Sequence, residues 1–262
     1  MEDSQMKVVL LKHKVDDDLI RRIVRAIEKA VADDIPAMIH EHPLETTNYI
    51  KIMRTDYINE NLKSIALGED IKLIKFKRFS WFGLMLVDLR NRTTYTITTK
   101  QNLKAIPKKK ERKTPHFLMS ILAIENGDLH GQYEPQSLFP IYNYDFKKDY
   151  YETDYNNIVN GVLDPREGYR HFVISYEFSN DILLNVDLLL LDKNFYEVEK
   201  RNLNEYIKPD FAKLTNPKIT YSKDKNPNHT NRKVSLSLKP GIGLPLNLRQ
   251  TDENIESVRK NE

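Results

Sequence analysis

The chain has 262 residues, 40% of them hydrophobic, with a formal charge of +3 and no cysteine. That length and apolar share can bury a full-sized core, as one domain or a domain plus a small lobe. The missing cysteines exclude disulfide frameworks, thiolate zinc sites and cysteine nucleophiles and fit a reducing compartment, so the expected location is cytoplasmic. No apolar run is long enough to span a membrane. The longest, Ile182 to Leu191, is broken by Asn185 and Asp187, and no membrane partner is expected.

Taken in chain order, Asp16, Asp17 and Asp18 offer a helix cap, and Leu19, Ile20, Ile23, Val24, Ile27 and Val31 recur at helical spacing. This amphipathic helix is predicted to end near Asp33-Asp34, before Pro36. Thr55 or Asp56 caps a second helix from about Tyr57 to Leu67, closed by Gly68. The period then changes to that of strands: Ile74 and Phe76 alternate with Lys75 and Lys77. Gly83 to Leu89 is nearly all apolar, and Thr93 to Thr99 is rich in β-branched residues, which gives a three-stranded antiparallel meander. Thr114 as cap and Pro115 at the first helical position open a third helix that Gly127 ends. A Tyr-, Phe- and Pro-rich connector leads to a fourth helix around Tyr151 to Val162. A second meander follows, from Phe172, from Ile182 to Leu191, and from Phe195 to Val198.

The expected fold is therefore α+β, two helix-plus-antiparallel-meander units packed in one globular domain over 1–214, with sub-halves 1–127 and 128–214. The segment 215–262, rich in Asn, Lys, Pro and Ser, is expected to be a mostly disordered tail. Within it Val234, Leu236 and Leu238 alternate with serine and could add a strand to the sheet or to a partner. The halves rhyme, with Asp88 before Arg90-Asn91 and Asp192 before Asn194, but hairpin turns select Asp and Asn without any duplication.

The modest net charge conceals a division. Between Lys72 and Lys113 there are 13 basic residues against 2 acidic, and between Glu125 and Asp210 there are 8 basic against 17 acidic. Such asymmetry serves a polyanion, serves a basic partner, or lets the two segments cover one another. The basic segment supplies the candidate nucleic-acid-binding residues Lys75, Lys77, Arg78, Arg90, Arg92, Lys108, Lys109, Lys110, Arg112 and Lys113, with Trp81, Phe79 or Tyr95 to stack bases. The same residues would also read as a solvated loop beside a lysine-decorated edge strand.

Arg170 and His171 are the candidate catalytic residues, because RNA cleavage without metal needs a base, an acid and a cation for the phosphate. His40-Glu41-His42 lacks the spacing of a zinc protease and reads as a loop before Pro43. The nuclease triplets Asp70-Ile71-Lys72, Glu111-Arg112-Lys113 and Asp145-Phe146-Lys147 are what a chain with 30% charged residues produces by chance. With 8 glycines and no phosphate-binding loop, an ATPase, kinase or dinucleotide enzyme is excluded, and neither cofactor nor metal is expected.

Arg78-Phe79-Ser80-Trp81-Phe82-Gly83, Lys108 to Phe117, Gly168-Tyr169-Arg170-His171-Phe172 and Leu203 to Phe211 resemble an uncharacterised family of bacterial and mobile-element proteins, over about 46–215. The resemblance carries no catalytic residue. It implies an association with toxin–antitoxin or phage-defence loci. Two expectations follow: an RNA- or DNA-binding component, as the toxin facing an antitoxin, or a non-catalytic module that binds a protein partner through its acidic, Tyr-rich half and tail.

Overall fold

A computed structural model describes residues 13–46, 48–65, 68–109, 112–131, 146–179 and 181–208. Lys110, Glu111, Asp145 and the strand-like Val234, Leu236 and Leu238 lie outside the described residues. Six strands form a single sheet in sequence order, β1 (Ile71–Arg78), β2 (Trp81–Asp88), β3 (Thr93–Thr99), β4 (Arg170–Ser179), β5 (Ile182–Leu191) and β6 (Glu197–Asn202). Both expected meanders are present. They do not form separate packed units, because β3 and β4 pair in parallel from Thr93↔Arg170 to Thr99↔Tyr176 and join them into one sheet. A parallel pair needs a long crossover, and the helices between β3 and β4 provide it.

One face of the sheet carries α1 (Asp17–Lys29) and α3 (Ile50–Ile65). Leu19, Ile20, Ile23, Val24, Ile58 and Leu62 pack on Leu86, Tyr95, Phe172, Ile174, Leu188 and Leu190. The other face carries α4 (Lys100–Ala105), α5 (Phe117–Glu125) and α6 (Lys148–Val159), packed on Ile74, Phe76, Met85, Val87, Val173 and Leu189. Each fully buried Leu or Ile contributes about 2 kcal/mol of burial. Three layers result, and the central strands are apolar on both sides, which explains the unbroken run at Leu188 to Leu191.

Local chemistry sets the boundaries. Asp16 caps α1 as expected, its Oδ1 accepting from the amides of Asp18 and Leu19 at 2.9 and 3.2 Å. The helix does not stop before Pro36. It runs through a π-helical turn at Ala30–Asp34 into α2 (Ile35–Glu41), whose first turn tolerates the proline. Asn61 of α3 holds this turn by donating to Asp34 Oδ2 at 2.7 Å and to the Ala26 carbonyl. α3 begins at Ile50, before the caps expected at Thr55 or Asp56. α5 is capped by His116 and not by Thr114, with Nδ1 accepting from Leu118 N at 3.2 Å. Asp88 and Asp192 both hold their turns with their side chains, accepting from Asn91 N and from the amides of Asn194 and Tyr196.

The sheet is not closed along its length. β1 and β2 pair over their full eight residues, but β2 meets β3 only at Leu86↔Tyr95, Val87↔Thr94 and Asp88↔Thr93. Beyond these, the Trp81–Met85 part of β2 stays with β1 and the Thr96–Thr99 part of β3 stays with β4, leaving a fork. On the fork's β1–β2 side, Phe76, Trp81 and Phe117 form an aromatic cluster with ring centroids 5.3 to 5.8 Å apart. Gly83 makes room for it: a Cβ there would come within 2.3 Å of the Phe76 ring and 2.7 Å of Trp81. Gly83→Ala is therefore expected to lower stability by about 1–3 kcal/mol, the cost of overpacking. Urea unfolding would show it, and adding Phe76→Leu is expected to recover part of the loss.

Candidate functional site

The fork encloses the larger described cavity, of about 1040 Å³. Its walls are the diverging strands, with Trp81 and Leu84 on one side and Thr96 to Thr99 on the other, and its floor includes the core residues Ile23, Ile58 and Leu62. α3 contributes Lys51 and Arg54 from one face of the sheet. The segment between α4 and α5 contributes Lys109, Arg112 and His116 from the other. The single carboxylate in the lining, Glu177, is held by Lys100 at 2.7 Å. Four cations thus surround a cavity whose one acid is already engaged.

Arg54 is the most constrained of them. Its guanidinium carbon lies 3.7 Å from the centre of the Phe178 ring, and its buried Nε has no hydrogen-bond partner among the described residues. Burial holds its pKa below the usual arginine value, with Tyr176 and Asp181 acting weakly the other way. A buried donor without a partner costs about 1–3 kcal/mol.

A second cavity of about 480 Å³ shares Trp81, Lys109, Arg112, His116 and Phe117 with the first and adds Arg78, Phe79 and Lys113, with no carboxylate in its lining. The imidazole of His116 stays neutral: burial, then Arg112, Arg78 and Lys109, push its pKa down to about 3. Because Nδ1 accepts the Leu118 amide, the ring proton sits on Nε2, a donor available to an anion. At the β1–β2 turn three aromatic side chains face solvent, Phe79 at 82%, Phe82 at 49% and Trp81 at 42%. Phe79 has φ 53°, a left-handed conformation that glycine or asparagine adopts far more readily, so neither packing nor turn chemistry asks for a phenylalanine there.

The structure divides the residues picked from sequence. Trp81, Lys109, Arg112 and Lys113 come together, and Lys108 is exposed in the same connector. Lys75 and Lys77 lie on the opposite sheet face, stacked over Phe82 with their Nζ atoms 4.5 and 5.7 Å from its ring centre. Arg78 is a tether: it bonds Asp154 at 2.6 Å and the Pro115 carbonyl at 2.7 Å. Arg90 and Arg92 follow the far end of β2, where Arg92 bonds the Glu167 carbonyl. Arg170 is engaged by Asp128 and the Glu125 carbonyl. His171 is fully enclosed, its nitrogens 2.7 and 2.9 Å from the Thr94 and Thr96 hydroxyls. His40 and Glu41 end α2 and do not form a loop, and among the described residues no three potential metal ligands cluster. Among them, too, no helix is long and apolar enough to cross a membrane.

A model of a family of unknown function, DUF5986, matches residues 12–255. The chain belongs to that family. The match takes in α1 and much of the C-terminal segment, beyond the 46–215 expected from the resemblance. No curated protein and no solved structure matches.

Behind the β3–β4 seam runs a buried polar chain that sequence reasoning missed. Tyr155 OH donates to Glu125 Oε1 at 2.8 Å, Glu125 Oε2 lies 2.5 Å from the Thr94 hydroxyl, and Thr94 meets His171. Burial raises Glu125 to about 7 and lowers His171 to about 3. The folded chain therefore keeps the Glu125 proton that the unfolded chain releases above 4.5. That contribution to stability is full below pH 4.5 and lost as pH rises to about 7. The His171 contribution has the opposite sign, full above 6.5 and lost as pH falls towards 3. Glu125→Gln cannot ionise, so its stability relative to wild type is expected to rise between pH 5 and pH 8, by up to about 3 kcal/mol. Urea midpoints at the two pH values measure this, and a difference independent of pH would contradict the titration.

Proposed function

We propose that this protein binds single-stranded nucleic acid at the fork and the β1–β2 hairpin. The observation that supports it most is the placing of exposed aromatic residues, Phe79 among them in a backbone conformation that a phenylalanine rarely adopts, beside basic residues. Phe79, Trp81 and Phe82 stand between Lys75 and Lys77 on one face and Lys109, Arg112 and Lys113 on the other. Among the described residues no carboxylate forms an ion pair with Lys75, Lys77, Lys109 or Lys113. Such lysines add little to fold stability, whereas a phosphate backbone gains from each through counterion release. Aromatic faces take unstacked bases at about 1–3 kcal/mol each, which a duplex cannot offer, and this favours a single strand.

Cleavage is not part of the proposal, since His171 is enclosed and Arg170 is bound to Asp128. A toxin of this kind would act by holding its target. A protein partner engaging the acidic half is the competing account, and it predicts no effect of oligonucleotides on the hairpin.

Trp81 is the chain's single tryptophan, so its fluorescence reports the site directly. Titration with an oligouridylate or oligothymidylate is expected to quench it, with affinity falling steeply as salt rises. Changing Lys75, Lys77, Lys109 and Lys113 to Ser is expected to flatten the salt slope by about one unit for each lysine that meets phosphate. Phe79→Asn suits the turn better and is expected to leave stability unchanged or raised while weakening binding by about tenfold, which separates function from folding. Unchanged Trp81 fluorescence at low salt with both oligonucleotides would refute the proposal.

A further inference from the structure

The fork is built differently from the hairpin surface around it. It is lined by Trp81 and Lys109 towards the segment between α4 and α5 and by Lys51 and Arg54 on α3, with Ile23, Ile58 and Leu62, all within 3% of complete burial, between them.

At the α3 wall sit two cations, Lys51 and, one turn later, Arg54. Among the described residues neither forms an ion pair, and the Arg54 guanidinium is fixed on Phe178 with its Nε buried and unbonded. An internal phosphodiester brings one negative charge, whereas a terminal phosphate monoester brings close to two at neutral pH, with three acceptor oxygens. The Arg54 guanidinium, fixed on Phe178, and the exposed Lys51 ammonium together supply two positive charges to match the monoester. Thr55 lines the same wall with a hydroxyl, and among the described residues the fork-facing edges of Trp81–Met85 and Thr96–Thr99 have no ladder partner.

We infer that the fork is an end-binding seat, in which Arg54 and Lys51 hold the terminal phosphate monoester of a strand whose body lies on the hairpin. This rests on the nucleic-acid proposal above. It adds a chemical preference that the hairpin alone does not give: phosphorylated ends over hydroxyl ends.

The test uses one oligonucleotide sequence with an internal fluorophore in three forms, bearing a 5′-phosphate, a 3′-phosphate, or hydroxyls at both ends. Anisotropy is read with the wild-type chain and with Arg54→Gln, and melting temperatures confirm that both are folded. One phosphorylated form is expected to bind about tenfold more tightly than the hydroxyl form, the worth of one strong charge-assisted contact. Arg54→Gln is expected to remove that advantage, so that the phosphorylated and hydroxyl forms bind the variant equally. Should Arg54→Gln not fold, Lys51→Ser at the exposed end of the same wall replaces it, with a smaller expected loss. Equal binding of all three forms by the wild type overturns the end seat while leaving the nucleic-acid proposal standing, as does a phosphate preference that survives the substitution. Absence of binding by any form removes both.

Discussion

The parallel pairing of β3 with β4 is the constraint on which the rest of the molecule depends. Seven residue pairs form the ladder, and His171 reinforces it from the side by meeting Thr94, its own ladder partner, and Thr96, two residues on. Asn126 completes the seam where α5 ends. Its amide donates to the His171 and Leu191 carbonyls while its oxygen accepts the His171 amide, so one side chain ties the crossover helix to β4 and β5. These buried groups have partners on every side, the condition under which a polar core is an asset. β3 stays with β4 along its whole length while β2, paired over its full length with β1, shares only three pairs with β3, and the fork lies between them.

Charge is distributed in a related way. The acidic segment does cover part of the basic one, as Arg78–Asp154 and Lys100–Glu177 show, but these contacts position the hairpin and α4 and do not neutralise the surface. Asp154 also takes the Ser120 hydroxyl at 2.5 Å, which fixes the pair between α5 and α6. Arg78, placed in sequence among the candidate nucleic-acid ligands, thereby becomes the strut that presents Trp81 and Phe79. Removing a half-buried charge of this kind harms folding and binding together, so it is a poor probe of either.

Much of the architecture was legible because periodicity reports burial. Alternation at Ile74 and Phe76, the apolar run into Leu191 and the Asp16 cap each map onto one element. What was not legible depended on partners distant in sequence. No local pattern says that Pro36 will follow a π turn held by Asn61, 25 residues away, or that β3 will pair in parallel with a strand beyond three helices. α4 is six residues long, too short for a helical period to show, and its cap, Thr99, whose side chain accepts from Asn102 N at 3.2 Å, was read only as the end of a strand. Arg54 lay before the second helix as read from sequence, which was expected to start near Tyr57, and only the fold sets it on α3 over Phe178.

Where sequence and structure agree most closely about function, it is through a conflict of preferences. A two-residue hairpin turn between Arg78 and Trp81 calls for Asn or Gly, and the chain has Phe79-Ser80. A strand interior disfavours glycine, and the chain has Gly83, because the Phe76 and Trp81 rings occupy the space of its side chain. Both departures lie within five residues and both hold aromatic rings at one end of the sheet, beside lysines with which no carboxylate among the described residues forms an ion pair. A sequence consistent with its fold elsewhere sets local turn and strand preferences aside there.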